Sequence, residues 1–270
     1  MNVDPATLEE LLRQVKQNEK YAAIDEALVR KIGYAELQKR GSLKEAVKTT
    51  RNKLHQVGVA YQEKPIPYAS LLDELVHLPS DLSAPVVQQH LQKWMQLHAS
   101  TQERLAIHQT FFKEALAPLG TIDSVLDLAC GLNPLNLPWM PFSADVHYYA
   151  CDIYADMIDF LNHFMAHFHI RGQATVLDLT QAVPQQPVKL AMLLKTIPCL
   201  DQIDKAAAQR LLELLPAENL LVTFPAHSLG GQSKGMIQNY TQRFEQLTAR
   251  KPWQVERYLY PGELAFWVRK

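Results

Sequence analysis

Apolar residues in the first hundred positions recur at the three-to-four spacing of helices. Leu8, Leu11 and Leu12 share one side of LEELLRQV, behind a Thr7-x-x-Glu10 capping box. A second box, Ser42-x-x-Glu45, precedes a run in which Leu43, Val47, Leu54 and Val57 share a face. Between them, 24–40 is a third helical stretch, ended by Gly41. Pro65 and Pro67 break the chain; shorter helices are predicted over 68–77 and 85–97, with Pro79 between them.

From about residue 120 the texture changes. Short apolar runs at 124–129, 146–152, 174–179, 190–195 and 220–225 read as strands. The segments 155–169, 202–215 and 236–248 between them read as helices, and two last runs joined by Pro261-Gly262 read as a hairpin. Strands alternating with helices predict an α/β domain with a mostly parallel sheet behind a helical N-terminal part.

Composition narrows the classes. The chain has 270 residues, 47% hydrophobic and 20% charged, with net charge −1, which excludes a uniformly basic nucleic-acid coat. A local basic face is not excluded. Positions 30–64 hold nine Lys or Arg against three Asp or Glu, so the remainder carries seven net negative charges. Such a cluster reads either as a solvated helical face or as a phosphate-binding surface. The three cysteines stand far apart, with no disulfide framework and no zinc-type pair. The start has acids and no apolar signal core, and no apolar run reaches the length of a membrane span. These features predict a soluble, cytoplasmic protein with no membrane partner.

In a parallel sheet, ligands lie outside the carboxyl ends of the strands. The first strand leads into Asp127-Leu-Ala-Cys-Gly131, read as an acid at the strand end with a single glycine in the turn rather than a dinucleotide fingerprint, so that Asp127 joins the acids expected to face the ligand. Asp152 ends the second strand, 21 positions after Gly131, where an acid accepts from ribose hydroxyls. Asp178 ends the third and could accept from an exocyclic adenine amine. A nucleoside without a pyrophosphate fits this pattern, and S-adenosylmethionine fits it better than NAD. His163, His167 and His169 form no complete metal site, so no metal is expected. Cys130 is expected to pack rather than react, and Trp139 and Phe142 read equally as stacking platforms or a buried turn.

Three longer motifs, VLDLACGLNPLNLPWM (125–140), HASTQERL (98–105) and FPAHSLGGQSKGM (224–236), resemble the aminoglycoside-resistance 16S rRNA (guanine-N7) methyltransferases. The resemblance covers nearly the whole chain. It implies a class I (Rossmann-like) methyltransferase domain with a seven-stranded sheet at 99–270, behind a helical rRNA-docking domain at 1–98. It implies methyl transfer from S-adenosyl-L-methionine, leaving S-adenosyl-L-homocysteine, to a decoding-site guanine of the assembled 30S subunit. It also implies aminoglycoside resistance; a monomer is the simplest state for an enzyme that docks on so large a particle. Arg104 would meet the methionine carboxylate while Ser100-x-x-Glu103 caps its helix at Thr101. Ala129 and Gly131 would lie against the cofactor, Asp152 on the ribose, Asp178 and Leu179 at the adenine, and Lys195 beside the transferred methyl. Ser228, Gln232, Lys234 and Met236 would position the target base. Arg30, Lys31, Lys39, Arg40, Lys44, Lys48, Arg51 and Lys53 would dock rRNA. No general base is expected, because guanine N7 carries no proton. The same fold acting on another RNA or a small molecule, or an inactive cofactor-binding RNA binder, are the alternatives.

Overall fold

The computed structural model describes residues 3–62, 64–226 and 235–270. Helices come first: α1 (Pro5–Lys16), α2 (Glu19–Ala22), α3 (Glu26–Lys39), α4 (Leu43–Val57), α5 (Tyr68–Leu75), α6 (Pro85–Met95), α7 (Ala99–Arg104) and α8 (His108–Leu116). Then β1 (Ser124–Leu128), β2 (His147–Asp152), α9 (Ala155–His167), β3 (Arg171–Val176), β4 (Val188–Leu194), α10 (Thr196–Ile203), α11 (Ala207–Leu214), β5 (Ala217–Pro225), α12 (Met236–Thr248), β6 (Gln254–Tyr260) and β7 (Glu263–Arg269).

The seven strands form one sheet in the order β3-β2-β1-β4-β5-β7-β6. All run parallel except β7, which is antiparallel to β5 and β6. The order reverses between β1 and β4, and this switch point faces the N-terminal helices. Those helices share a core with the sheet: Leu11, Leu28 and Val47 belong to the same buried cluster as Tyr148, Phe160 and Met192. Backbone hydrogen bonds stitch the junction, from Asp25 N–H to the Ile153 carbonyl and from Ala155 N–H to the Ala23 carbonyl, each 2.8 Å. Among the described residues no helix is long and apolar enough to cross a membrane.

Several local expectations shift. The cap of α1 is Asp4, with Pro5 as the first helical residue; Thr7 donates to the Asp4 carboxylate from its N–H (2.9 Å) and hydroxyl (2.7 Å) instead of capping. Ser42 does cap α4, accepting from Glu45 N–H at 3.3 Å. Ser100 does not cap α7: His98 is the N-cap, and its carbonyl takes Thr101 and Gln102 N–H. The β3 ladder stops at Asp152↔Val176 because β2 ends there, so Asp178 and Leu179 sit in the loop beyond the strand. The helix expected over 202–215 is two, α10 and α11, parted where Asp204 turns extended and accepts from Ala206 N–H at 2.9 Å.

Candidate active site

A cleft enclosing about 760 Å³ of space, part of it open to solvent, lies at the carboxyl ends of β1, β2 and β4. Backbone strain marks its edge. Ala129 (φ 51°) after β1 and Lys195 (φ 61°) after β4 are both left-handed non-glycine residues. Gly131 follows at φ 52°, and a Cβ there would lie 2.7 Å from His98 Cε1. Only glycine lets the β1 turn pass beneath the His98 ring.

The acids divide. Asp152 lines the cleft, and its carboxylate accepts from Gly131 N–H (2.9 Å) and Ile153 N–H (2.6 Å). Burial raises its pKa above the ordinary carboxylate value. Asp178 and Leu179 also line the cleft. Asp178 accepts from Thr180 N–H and from the Gln181 side chain, each at 2.8 Å, and from the Thr180 hydroxyl. Asp127 is different. It lies inside β1 rather than at its end and does not reach the cleft. Its Oδ2 accepts from Tyr148 Oη (2.6 Å) and Asn133 Nδ2 (2.9 Å), and burial pushes its pKa up to about 7.

That buried network continues to Arg104, which is 1% exposed. Glu263, the first residue of β7, takes its Nε (3.0 Å) and Nη2 (2.8 Å), and Asn133 Oδ1 stands 3.4 Å from Nη1. Burial works to raise the Glu263 pKa, but Arg104, Lys195 and Thr223 outweigh it and hold the carboxyl below its usual value. The grip is on the Nε–Nη2 side of the guanidinium, so the Nη1–Nη2 edge has no carboxylate on it. Arg104 is not itself in the cleft lining.

Lys195 lines the cleft with its ammonium paired to Glu103 of α7. His98 lines it too, stacked on Tyr61 (centroids 6.0 Å apart, 12° between planes), with a buried Nδ1 that has no partner among the described residues. Burial first, then the Arg104 and Lys195 cations, push His98 down to about 4, so it is neutral near pH 7. Leu28, Val57, Gly58 and Tyr61 bring the N-terminal helices into the same wall. Among the described residues the cleft holds one cation, already paired, against two buried acids. This environment disfavours a pyrophosphate and suits an adenosine with hydroxyl and amine donors. Among the described residues, the unpartnered His98 Nδ1 is further polar capacity for such a ligand.

Sequence reasoning missed His98, Tyr61, Glu103, Asn133 and Glu263. Glu263 lies 159 positions from Arg104, so no local spacing could pair them. Of the loop residues, Ser228, Gln232 and Lys234 lie outside the described residues, and Met236 opens α12. Cys130 is buried in the cleft wall, with its thiol pKa raised by burial. His163 Nδ1 and His167 Nε2 face the carbonyls of Asp159 (2.9 Å) and Leu78 (3.0 Å). Trp139 packs on His108 (4.6 Å) and Phe142 near Tyr148 (6.2 Å).

The basic stretch also divides. Arg30 pairs with Glu9 and Glu26, and Arg40 and Lys53 both reach the buried Glu36. Arg51 donates to the Gln14 carbonyl and Lys31 to Thr180. Lys39, Lys44 and Lys48 are exposed and make no ion pair among the described residues.

Comparison with known proteins places this geometry. The ribosomal RNA methyltransferase (FmrO) family model matches residues 17–266. A 16S rRNA (guanine(1405)-N(7))-methyltransferase of Micromonospora rosea is 32% identical over 268 residues, covering 97% of each chain. One of Serratia marcescens is 32% identical over 245 residues, covering 91% of this chain and 89% of its own. The crystal structure of the 16S rRNA methyltransferase RmtF with S-adenosyl-L-homocysteine superposes with a TM-score of 0.83 at 27% identity, covering 99% of both chains.

Proposed function

The chain belongs to the FmrO family of ribosomal RNA methyltransferases, and on that premise we propose that it methylates N7 of guanine 1405 in 16S rRNA, the reaction for which its Micromonospora and Serratia relatives are named. The single observation that carries the reading is the cleft, with its two buried acids, its one neutralised cation and its place at the β1/β4 switch point.

S-Adenosylmethionine supplies an electrophilic methyl group on a sulfonium. The chain's part is to hold and align. Arg104, held by Glu263 just behind the cleft lining, is the cation assigned to the methionine carboxylate, a bidentate match. Asp152 accepts from ribose hydroxyls and Asp178 from the adenine amine, with Leu177 and Leu179 against the ring. Gly131 and Ala129 keep the β1 turn close, and Lys195 with Thr196 closes the β4 side. Guanine N7 offers a free lone pair and no proton, so the chain needs no base; it contributes positioning and exclusion of water. The target base leaves its stack to enter, at a cost of about a few kcal/mol.

Residues 1–98 serve as the docking part and 99–270 as the transfer part. Lys39, Lys44 and Lys48 are free to meet phosphates, and Ser228, Gln232, Lys234 and Met236 stand in the segment that meets the base. The substrate is 16S rRNA within the 30S subunit, the enzyme works as a cytoplasmic monomer, and the product ribosome resists aminoglycosides.

The test is transfer of labelled methyl from S-adenosylmethionine to purified 30S subunits, with the modified base mapped. Label on N7 of guanine 1405 supports the reading. Label elsewhere on the rRNA, or none despite cofactor binding, sinks it.

A further inference from the structure

Lys31 stands on α3 in the basic stretch, yet its ammonium points into the cleft wall. Nζ donates to Thr180 Oγ1 at 2.7 Å, lies 3.3 Å from the Thr180 carbonyl, and is 4.0 Å from Asp178 Oδ2. Because the Thr180 hydroxyl accepts from Lys31, its own proton goes to Asp178, whose oxygens lie 2.7 and 2.8 Å away. The carboxylate has about four lone-pair sites. Thr180 N–H, the Thr180 hydroxyl and Gln181 occupy three of these. One is left for a ligand donor. From the far side, Arg210 on α11 donates to the Thr180 carbonyl at 2.9 Å. Leu28, one turn before Lys31 on the same face of α3, is itself cleft lining.

We propose that Lys31 is a positioning residue of the cofactor site and not a phosphate contact. It pins α3 to the turn that carries Asp178 and sets the Thr180 proton so that one carboxylate lone pair faces the adenine amine. The proposal rests on the cofactor reading above. It divides the basic stretch by role: Lys31 governs cofactor affinity, while Lys44 and Lys48 govern affinity for RNA.

The experiment is calorimetric titration of S-adenosyl-L-homocysteine into the full chain, beside 30S binding measured across a salt series. Lys31→Met keeps the apolar stem and is expected to weaken binding of S-adenosyl-L-homocysteine by about tenfold, the scale of one lost charge-assisted hydrogen bond. Thr180→Val, which removes the same hydroxyl from the other side, is expected to reproduce that loss, and the double variant to add little to either. Lys31→Arg, which keeps a charged donor, is expected to recover part of it. In turnover the cost appears in the KM for S-adenosylmethionine rather than in kcat. The salt slope of 30S binding stays at its wild-type value in Lys31→Met and falls by about one in Lys48→Met. Unchanged product affinity in both Lys31→Met and Thr180→Val overturns the proposal. So does a reduced salt slope in Lys31→Met, whatever happens to the cofactor. A wild-type chain that binds no S-adenosyl-L-homocysteine overturns the cofactor reading and the proposal together, whereas intact wild-type binding with unaffected variants overturns the proposal alone.

Discussion

Beneath the β1 turn, Arg104, Glu263, Asp127 and Asn133 exchange hydrogen bonds with at most 2% of any residue exposed. On the outer wall of the same cleft, Lys31 and Arg210 hold Thr180 while 37% and 40% of their side chains stay exposed. Both sets are polar, and on the reading proposed above both position residues for one ligand. The dry set is held by electrostatics that water cannot replace, so losing one partner strands a charge. In the wet set, water takes over whatever a partner gives up, so losses there appear as affinity rather than stability.

The largest effect that would sharpen this contrast is at Glu263. Glu263→Gln leaves the Arg104 charge buried without a counter-charge and is expected to cost about 3–5 kcal/mol of stability in urea unfolding. Replacing the pair together, Arg104→Met with Glu263→Leu, is expected to restore most of that stability while abolishing product binding in calorimetry. A small loss in Glu263→Gln would mean the floor is not dry.

Next comes Gly131→Ala. The left-handed backbone alone costs about 1–2 kcal/mol for a residue with a Cβ, and the His98 ring stands 2.7 Å from that Cβ. Thermal unfolding and cofactor titration should both register the loss. Adding His98→Ala should return the steric part and leave the backbone part; no relief would show that the ring is not the obstacle.

A pH series separates two of the buried titrating groups, Asp127 and His98. Burial pushes Asp127 up from 3.8 to about 7, so the folded state holds its proton more tightly than the unfolded chain. Its contribution to stability is complete below pH 3.8 and is lost as pH rises to 7. His98 is pushed down from 6.5 to about 4, mainly by burial, so the unfolded chain binds that proton more tightly and stability rises with pH across that window. The two slopes oppose each other in the wild type. Relative to wild type, Asp127→Asn is expected to gain stability with rising pH and His98→Asn to lose it, in unfolding measured from pH 4 to 7. Parallel curves would break the assignment of both groups.

The smallest effect belongs to the exposed lysines. Lys44→Ala and Lys48→Ala are expected to leave the unfolding midpoint within error and to lower the salt slope of 30S binding by about one each. A shifted midpoint would place them with the structural charges.

Much of the architecture was legible in the chain. Short apolar runs marked all seven strands, though β3 lies three residues earlier than they indicated and β5 begins three earlier, and α12 spans the residues that the periodicity outlined. The turn glycine at 131 and the acids at 152 and 178 were readable because a strand end has a fixed chemistry. Asp127 misled for the same reason: one residue short of a strand's end, its side chain turns to the other face. Helix starts were also misread, since Thr7 and Ser100 carry the capping pattern while Asp4 and His98 hold the position. Asp4 and Thr7 are both cap-forming types, and geometry chose between them; His98 holds its position through its carbonyl alone.

Local order, periodicity and turn chemistry are properties of neighbours in the chain, and the sequence by itself determined them: the helical front, the parallel sheet, the cleft's place and its acids. Which charges pair was decided only by tertiary structure. The Glu263 grip on Arg104 spans 159 positions and the Lys31 contact with Thr180 spans 149. A long-range contact leaves no spacing to read, because loop closure over that distance constrains neither partner's local pattern. The same lysine reads as a docking residue in the sequence and holds Thr180 beside the cleft in the fold, since its charge is fixed by chemistry but its partner by where α3 comes to rest.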